Sequence, residues 1–119
     1  MINFNVRNSL SIKETDNEND LDNVLRGSEK VFVLFYSSWC PFCRSFLPIF
    51  NKHAQKRGDE KFLRVKIDRF LNPIWEKYSV NVVPTVILFQ RNKVYRRLNG
   101  VFGVGLNDKK FNCFLDFPS

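Results

Sequence analysis

The chain has 119 residues, 44% of them hydrophobic and thirteen of them Phe, a composition that predicts one folded domain over residues 1–119 and excludes a disordered chain. No apolar run is long enough to cross a bilayer, and the first residues do not resemble a secretion leader, so we expect a cytoplasmic protein with no membrane partner. The net charge of +7 comes without a nucleic-acid-binding motif and therefore predicts a solvated basic surface rather than a nucleic-acid partner.

The number and spacing of the cysteines limit the kinds of site that the chain could carry. Cys40 and Cys43 are too close in sequence for a structural framework, and such a pair in a reducing compartment does redox chemistry or binds metal. A tetrahedral metal site needs four ligands, and only Cys113 and His53 remain, so we expect no metal unless two chains share a site. We expect Cys113 to be a small buried filler, with a regulatory thiol as the alternative. We interpret His53 as structural, with a catalytic base as the alternative.

The first elements form the start of an α/β pattern. Residues 1–8 are expected to form a loose lead-in, followed by an edge strand over 9–14 and an acidic loop over 15–20. A short helix ends at Gly27, and its apolar residues fall at the spacing of one helical face: Leu21, Val24 and Leu25. Residues 31–36 are apolar throughout, which favours a strand buried on both faces.

A helix is predicted to begin at Cys40 and to end at Gly58. Pro41 suits its first position because the missing N–H has no helical partner there, whereas Pro48 is expected to kink the helix. Its inward stripe is predicted to be Phe42, Phe46, Ile49 and Phe50. The unpaired N–H groups and the macrodipole at the helix start would stabilise a thiolate at a partly exposed Cys40.

The second half contains three more strands and two helices. A strand over 62–67 is followed by a short helix opened by Asn72-Pro73, and a buried strand covers 85–89. A hairpin then leads to an edge strand over 93–98, with Val94 and Leu98 on one face. The closing helix spans 107–116, and its inward residues are predicted to be Phe111, Phe114 and Leu115. This order predicts a single mixed sheet, with a parallel βαβ part, a C-terminal β-hairpin and helices on both faces.

Several short motifs in this order resemble the thioredoxin family. The resemblance covers about residues 9–116 and implies the thioredoxin fold. Its motifs are Trp39-Cys40-Pro41-Phe42-Cys43, Pro48, Ile67-Asp68, Asn72-Pro73, Lys77-Tyr78, Val83-Pro84-Thr85 and Gly100.

The resemblance implies a protein-disulfide oxidoreductase that works as a monomer. Cys40 would attack a substrate disulfide and Cys43 would resolve the mixed disulfide, so that their redox-active disulfide is the only cofactor. A cis peptide bond before Pro84 would leave the backbone of Val83 free to bind an extended substrate, next to Trp39. The implied partners are protein disulfides and either a reductase or a small-thiol electron donor.

The resemblance also assigns supporting roles to residues around the cysteines. Asp68 would hold the indole N–H of Trp39. Pro41 and Phe42, between the cysteines, would tune which redox form is favoured.

Two departures from the family pattern keep more than one function open. Leu34 lies where the family buries a carboxylate that moves the proton of the second cysteine, so we expect slow resolution by Cys43 near neutral pH. Pro41-Phe42 replaces the usual Gly-Pro and resembles glutaredoxin. The alternatives are therefore a binding or adaptor module with little turnover, a glutaredoxin-like protein, or a disulfide-forming oxidant.

Overall fold

The computed structural model describes residues 12–117 of the chain. Within that range it contains five strands and four helices, in the order predicted from the sequence. Their bounds are β1 (Lys13–Thr15), α1 (Glu18–Arg26), β2 (Lys30–Tyr36), α2 (Pro41–Lys56), β3 (Lys61–Lys66), α3 (Ile74–Lys77), β4 (Thr85–Gln90), β5 (Lys93–Leu98) and α4 (Asp108–Asp116). Residues 1–8 and the first part of the predicted strand over 9–14 lie outside the described residues.

The strands form one mixed sheet in the order β1-β3-β2-β4-β5. β1, β3 and β2 run parallel, while β4 is antiparallel to both β2 and β5. The apolar run of β2 is central and buried from Val31 to Tyr36, as its sequence predicts. The ends of β2 and β3 lie side by side, since Ile67 N–H donates to the Tyr36 carbonyl at 2.8 Å. The segments after both strands therefore emerge at the same edge of the sheet.

Helices cover both faces of this sheet. On one face α2 packs on β3, where the ring centroids of Phe50 and Phe62 are 5.5 Å apart. On the other face the ring of Tyr78, just after α3, lies 5.9 Å from that of Phe35 in β2. The Tyr78 hydroxyl also donates to Asp22 of α1 at 3.4 Å, which ties these two helices together. The predicted arrangement of helices on both faces is confirmed.

Phenylalanine side chains fill the layer between the sheet and the pair α2 and α4. They are Phe32, Phe46, Phe50, Phe62, Phe111 and Phe114, all of them buried. Burying one such side chain contributes about 1.5–3 kcal/mol relative to leaving it in water. Because two of these rings belong to the middle of α2, the core fixes where the N-terminal end of that helix lies.

One member of the predicted α2 stripe does not pack on the sheet. Phe46 and Phe50 are fully buried, but Phe42 is 38% exposed and Ile49 is only partly buried. Phe42 belongs to the first turn of the helix, and it lies against the segment before α4, where a Cβ added at Gly105 would be 2.9 Å from Phe42 Cβ. The buried residue of that turn is Cys43.

The prediction for the faces of β5 is wrong. Phe89 pairs with Val94 and Leu88 pairs with Arg96, so Tyr95 is an extra residue in a β-bulge. Paired residues share a face and neighbours along a strand alternate, which places Val94 and Leu98 on opposite faces. Simple alternation fails here because the bulge shifts the register by one residue.

The prediction that Cys113 is buried is also wrong. The inward residues of α4 are Phe111, Phe114 and Leu115, as the sequence predicts. Cys113 follows Phe111 by two positions, about 200° around the helix, and its side chain is exposed.

Candidate active site

Cys40 occupies the N-cap of α2, directly above the end of the central strand. Its backbone is extended (φ −95°, ψ 120°), Pro41 begins the helix, and Arg44 N–H donates to the Cys40 carbonyl at 3.1 Å. Cys40 N–H donates to the Ser37 carbonyl at 3.3 Å, which holds the short turn between β2 and α2. A sulfur at this position faces the positive end of the helix dipole, an environment that favours negative charge.

The two cysteines of the pair differ in depth. Cys40 is 7% exposed and Cys43, one helical turn further in, is 1% exposed, and both are free thiols. Cys40 is thus more deeply placed than the partial exposure expected from the sequence, because the segment carrying Val83 packs against it. An attacking reagent still reaches Cys40 first.

Burial raises the pKa of the Cys43 thiol to about 12. The N–H of Ser37 donates to its sulfur at 3.5 Å and opposes that shift without overcoming it. The side chain of Leu34 is fully buried in β2, where the family pattern has a carboxylate. The sequence pattern gave no sign of the Ser37 contact, since the backbone of this residue, not its side chain, makes it.

The segment Val83-Pro84 meets the cysteines from the other side. The peptide bond between these residues is cis, as the family resemblance implied, and the Val83 carbonyl lies 3.8 Å from Cys40 Sγ. Thr85 Oγ1 donates to the Val82 carbonyl at 2.6 Å, which pins the turn. Gly100 crosses so close that an added Cβ would lie 2.2 Å from the Pro84 carbonyl oxygen.

Trp39 and Asp68 are in contact, but through a different group than expected. The indole Nε1 of Trp39 donates to the backbone carbonyl of Asp68 at 3.0 Å, and the tryptophan is 48% exposed. The Asp68 carboxylate instead accepts from Ser38 N–H at 2.7 Å and from Ser38 Oγ at 2.5 Å. Partial burial alone would raise the pKa of Asp68, but these hydrogen bonds and the charge of Lys66 lower it overall. The sequence did not indicate a role for Ser38, because its partner Asp68 follows a different strand, β3.

His53 lies far from the cysteine pair. It follows Cys40 by 13 residues in the same helix, a separation of about 20 Å. Its side chain is buried, shares a 2.6 Å hydrogen bond with Asp108 and packs edge-on against Phe111. These contacts favour the structural interpretation of His53. Within residues 12–117, no three His, Cys, Asp or Glu side chains are grouped so that they could hold a metal ion.

Across the described part of the chain, no helix has the length and apolar character needed to span a membrane.

Comparison of the sequence with known proteins identifies one family. A family model described as Thioredoxin matches residues 11–109. The chain is 39% identical over 83 residues to a thioredoxin of Mycoplasmoides gallisepticum, covering 70% of this chain and 82% of that protein. It is 36% identical over 96 residues to a putative thioredoxin-4 of Dictyostelium discoideum, covering 81% and 86% of the two chains.

The fold comparison rests on solved structures. Thioredoxin from Plasmodium falciparum superposes with a TM-score of 0.75 at 18% identity, covering 88% of this chain and 97% of that one. The five-stranded mixed sheet with its flanking helices is thus the thioredoxin fold. With the Cys40–Cys43 pair at the start of α2 and a family model that matches most of its length, the chain belongs to the thioredoxin family.

Proposed function

We propose that the protein is a thiol–disulfide oxidoreductase that reduces disulfides in other proteins. The observation that carries this proposal is the position of Cys40: it caps α2, and its sulfur lies 3.8 Å from the carbonyl of Val83, beside cis-Pro84. Cys43 lies one turn below, within reach of the same sulfur.

The proposed reaction transfers two electrons from the dithiol to the substrate. The Cys40 thiolate attacks one sulfur of the substrate disulfide, that S–S bond breaks, and the other substrate sulfur leaves as a thiolate that takes a proton from water. Cys43 then loses its proton and attacks the Cys40 sulfur, which releases the second substrate sulfur. The protein is left with a Cys40–Cys43 disulfide, and an external reductase or small thiol restores the dithiol.

The remaining site residues would position the substrate. Among the described residues, the N–H of Val83 has no hydrogen-bond partner, so an extended substrate segment can pair with it as an added strand. Pro84 presents no N–H to the sulfurs, and Trp39 offers an exposed flat surface beside them. We assign to Asp68 the support of the turn before Cys40, and to Pro41 and Phe42 the tuning of the redox equilibrium.

One observation favours a second candidate. Leu34 is fully buried in β2 and supplies no carboxylate, and burial raises the pKa of Cys43 to about 12, so we expect Cys43 to resolve mixed disulfides slowly. A long-lived mixed disulfide would make the protein a binding or adaptor module with little turnover. A glutaredoxin-like activity and the oxidation of substrate thiols to disulfides are two further candidates. Equilibration with glutathione buffers would decide the direction, because the reductase proposal requires a potential below that of the glutathione pool.

Insulin reduction by dithiothreitol tests the proposal. We expect the wild type to accelerate precipitation of the insulin B chain, Cys40→Ser to lie at the uncatalysed rate, and Cys43→Ser to accumulate a mixed disulfide. Cys113→Ser is the matched control, because it removes an exposed thiol of the same chemistry and should keep the wild-type rate. A wild type no faster than background would refute the reductase activity.

A further inference from the structure

Large apolar side chains are unusually exposed in two loops of this molecule. The Phe70 loop, residues 69–71 between β3 and α3, exposes 78% of Phe70 and 95% of Leu71. The Phe102 loop, residues 100–105 between β5 and α4, exposes 88% of Phe102 and 66% of Val104. Single exposed apolar residues are ordinary on a protein surface, but clusters of them mark interaction sites.

The Phe70 loop is attached to the residue that precedes Cys40. The ring centroids of Trp39 and Phe70 are 5.5 Å apart, with the planes tilted by 47°. The hydrogen bond from Trp39 Nε1 to the Asp68 carbonyl fixes the start of the loop against the same ring. Phe70 therefore extends the apolar surface of Trp39, the residue before Cys40.

The Phe102 loop is attached to the other boundaries of the site. Gly100 lies against the Pro84 carbonyl, and Gly105 lies against Phe42, so both ends of the loop touch residues next to the cysteines. The loop is closed on itself by hydrogen bonds between Val101 and Gly105, from Val101 N–H at 3.1 Å and from Gly105 N–H at 2.7 Å. This tight closure turns the side chains at its tip toward solvent.

The charged groups around Trp39 do not oppose contact with an apolar partner. The Asp68 carboxylate is engaged by Ser38, while Arg44 and Arg69 are exposed nearby. A substrate with apolar side chains beside its cysteine would cover Phe70 and Phe102 without burying an unpaired carboxylate. Native proteins rarely expose several large apolar side chains together, so such a group beside one cysteine is accessible chiefly in unfolded or partly unfolded chains.

We propose that the Phe70 loop and the Phe102 loop are specificity-determining elements that bind apolar side chains flanking the substrate cysteine. The preferred substrates are then disulfides in unfolded or partly unfolded polypeptides. This inference rests on the proposed reductase function and specifies its substrate class. The surface is continuous with Cys40 on one side through Trp39 and on the other through Phe42 and Pro84, which commits it to the polypeptide that Cys40 attacks.

The test uses two fluorogenic peptide disulfides of equal length and charge, one with Leu and Phe beside the cysteine and the other with Ser and Asn. We expect wild-type kcat/KM to be about tenfold or more higher for the apolar peptide, the range that small apolar contacts supply. The variants Phe70→Ser with Leu71→Ser, and Phe102→Ser with Val104→Ser, should each bring that ratio toward one.

The matched control is Phe117→Ser. Phe117 is 60% exposed and lies just after α4, which is joined to the far end of α2 by the ion pair between Arg57 and Asp116. Its substitution should leave the ratio at the wild-type value. Far-ultraviolet circular dichroism checks that all variants are folded.

The outcomes separate the two proposals. Equal wild-type kcat/KM for both peptides overturns the specificity inference and leaves the reductase function standing. Reduction of neither peptide overturns both. If sedimentation shows a wild-type dimer that the loop variants lose while keeping the wild-type ratio, the loops bind a second copy of the chain and the inference is wrong.

Discussion

Burial of the Cys43 sulfur should limit the rate of the second step of the proposed reaction. Cys43 is 1% exposed, and the N–H of Ser37 donates to its sulfur at 3.5 Å. Leu34, fully buried in β2, supplies no carboxylate. A thiol must lose its proton before it attacks, and burial raises the pKa of Cys43 to about 12. Near neutral pH, therefore, we expect very few molecules to carry the Cys43 thiolate that the second step of the proposed reaction requires.

We predict a steep pH dependence for the second chemical step alone. With 5,5′-dithiobis(2-nitrobenzoate), the attack of Cys40 releases one coloured thiolate and resolution by Cys43 releases the other, so absorbance follows both steps. Because the thiolate fraction of Cys43 rises tenfold with each pH unit below its pKa, the second rate should rise about tenfold per unit between pH 6 and 9. A second rate that is flat over this range would contradict the prediction.

A buried base should relieve that limit. Leu34→Asp places a carboxylate where the family has one, and we expect it to speed the second release at pH 7 by about tenfold or more, with a shallower pH slope. Leu34→Asn is the matched control, since it has nearly the same size and polarity but cannot take up the proton. Equal second-step rates for the two variants would show that the absence of a base at this position is not what slows resolution.

Single residues also show where sequence reasoning ends. The position of Cys40, Pro41 and Cys43 at the start of a helix was predicted from their order alone, because a helix start is encoded by adjacent residues. The hydrogen bonds of Ser38 to Asp68 were not, because they depend on two strands ending side by side. The same limit applies to Trp39, whose partner residue was predicted but whose bonded group was not.

Among the elements, the turn at cis-Pro84 depends on a glycine that lies well beyond it along the chain. Gly100 N–H donates to Thr85 Oγ1 at 3.3 Å, and its α-carbon passes the Pro84 carbonyl with no room for a side chain. The Phe102 loop can therefore pack against the turn at cis-Pro84 only because residue 100 has no side chain.

We predict that Gly100→Ala destabilises the fold and slows insulin reduction together. The new Cβ would lie 2.2 Å from a backbone oxygen, which cannot move aside as a flexible side chain would, so the free energy of unfolding should fall by about 1–3 kcal/mol. Urea denaturation measures the first effect and the insulin assay the second.

Gly58→Ala is the control for this substitution. An added Cβ at Gly58 meets nothing within 4 Å, so its unfolding free energy should be unchanged or higher by about 0.4–1 kcal/mol. If Gly100→Ala had the same free energy of unfolding as this control, the close approach to Pro84 would not contribute to stability.

The elements themselves were largely predictable. α1 ends at Gly27 and Pro41 begins α2, as the sequence predicts, and the apolar run of β2 is central. The bulge at Tyr95 could not be predicted, because it arises from the pairing of β5 with β4 and not from the sequence of β5 alone. The prediction that Phe42 packs on the sheet failed for a similar reason, since the first turn of α2 meets a loop rather than the sheet.

For the whole molecule, contacts between α2 and α4 close one side of the sheet. His53 of α2 bonds to Asp108 at 2.6 Å, and this hydrogen bond holds the pKa of Asp108 below its usual value. The rings of Phe50 and Phe111 stack 5.6 Å apart beneath it. Helix α2 is thereby held along its length, and Cys40 at its start keeps a fixed distance from the sheet.

We predict that His53 contributes to stability and not to catalysis. His53→Ala removes a buried ring and its hydrogen bond, so the free energy of unfolding should fall by about 2–3 kcal/mol. The insulin reduction rate per folded molecule should stay within about twofold of the wild type. Loss of activity with unchanged urea stability would instead identify His53 as a catalytic base.

The overall architecture followed from the order of elements, since parallel units followed by a hairpin leave few topologies. The exposure of Cys113 and of the two apolar loops did not follow. The side of a helix that faces water is decided by what packs on its other side, and loop side chains carry no periodic pattern from which burial could be inferred.

The irregular register of β5 affects whether another strand can add to that edge of the sheet. Among residues 12–117, β5 pairs only with β4, so its outer rim presents free backbone groups to the solvent. Lys93 on this strand and the bulge at Tyr95 are features that disfavour edge-to-edge addition of another strand. The substrates that we propose are unfolded chains, which can add a strand to an exposed sheet edge, and these two features of β5 disfavour that pairing.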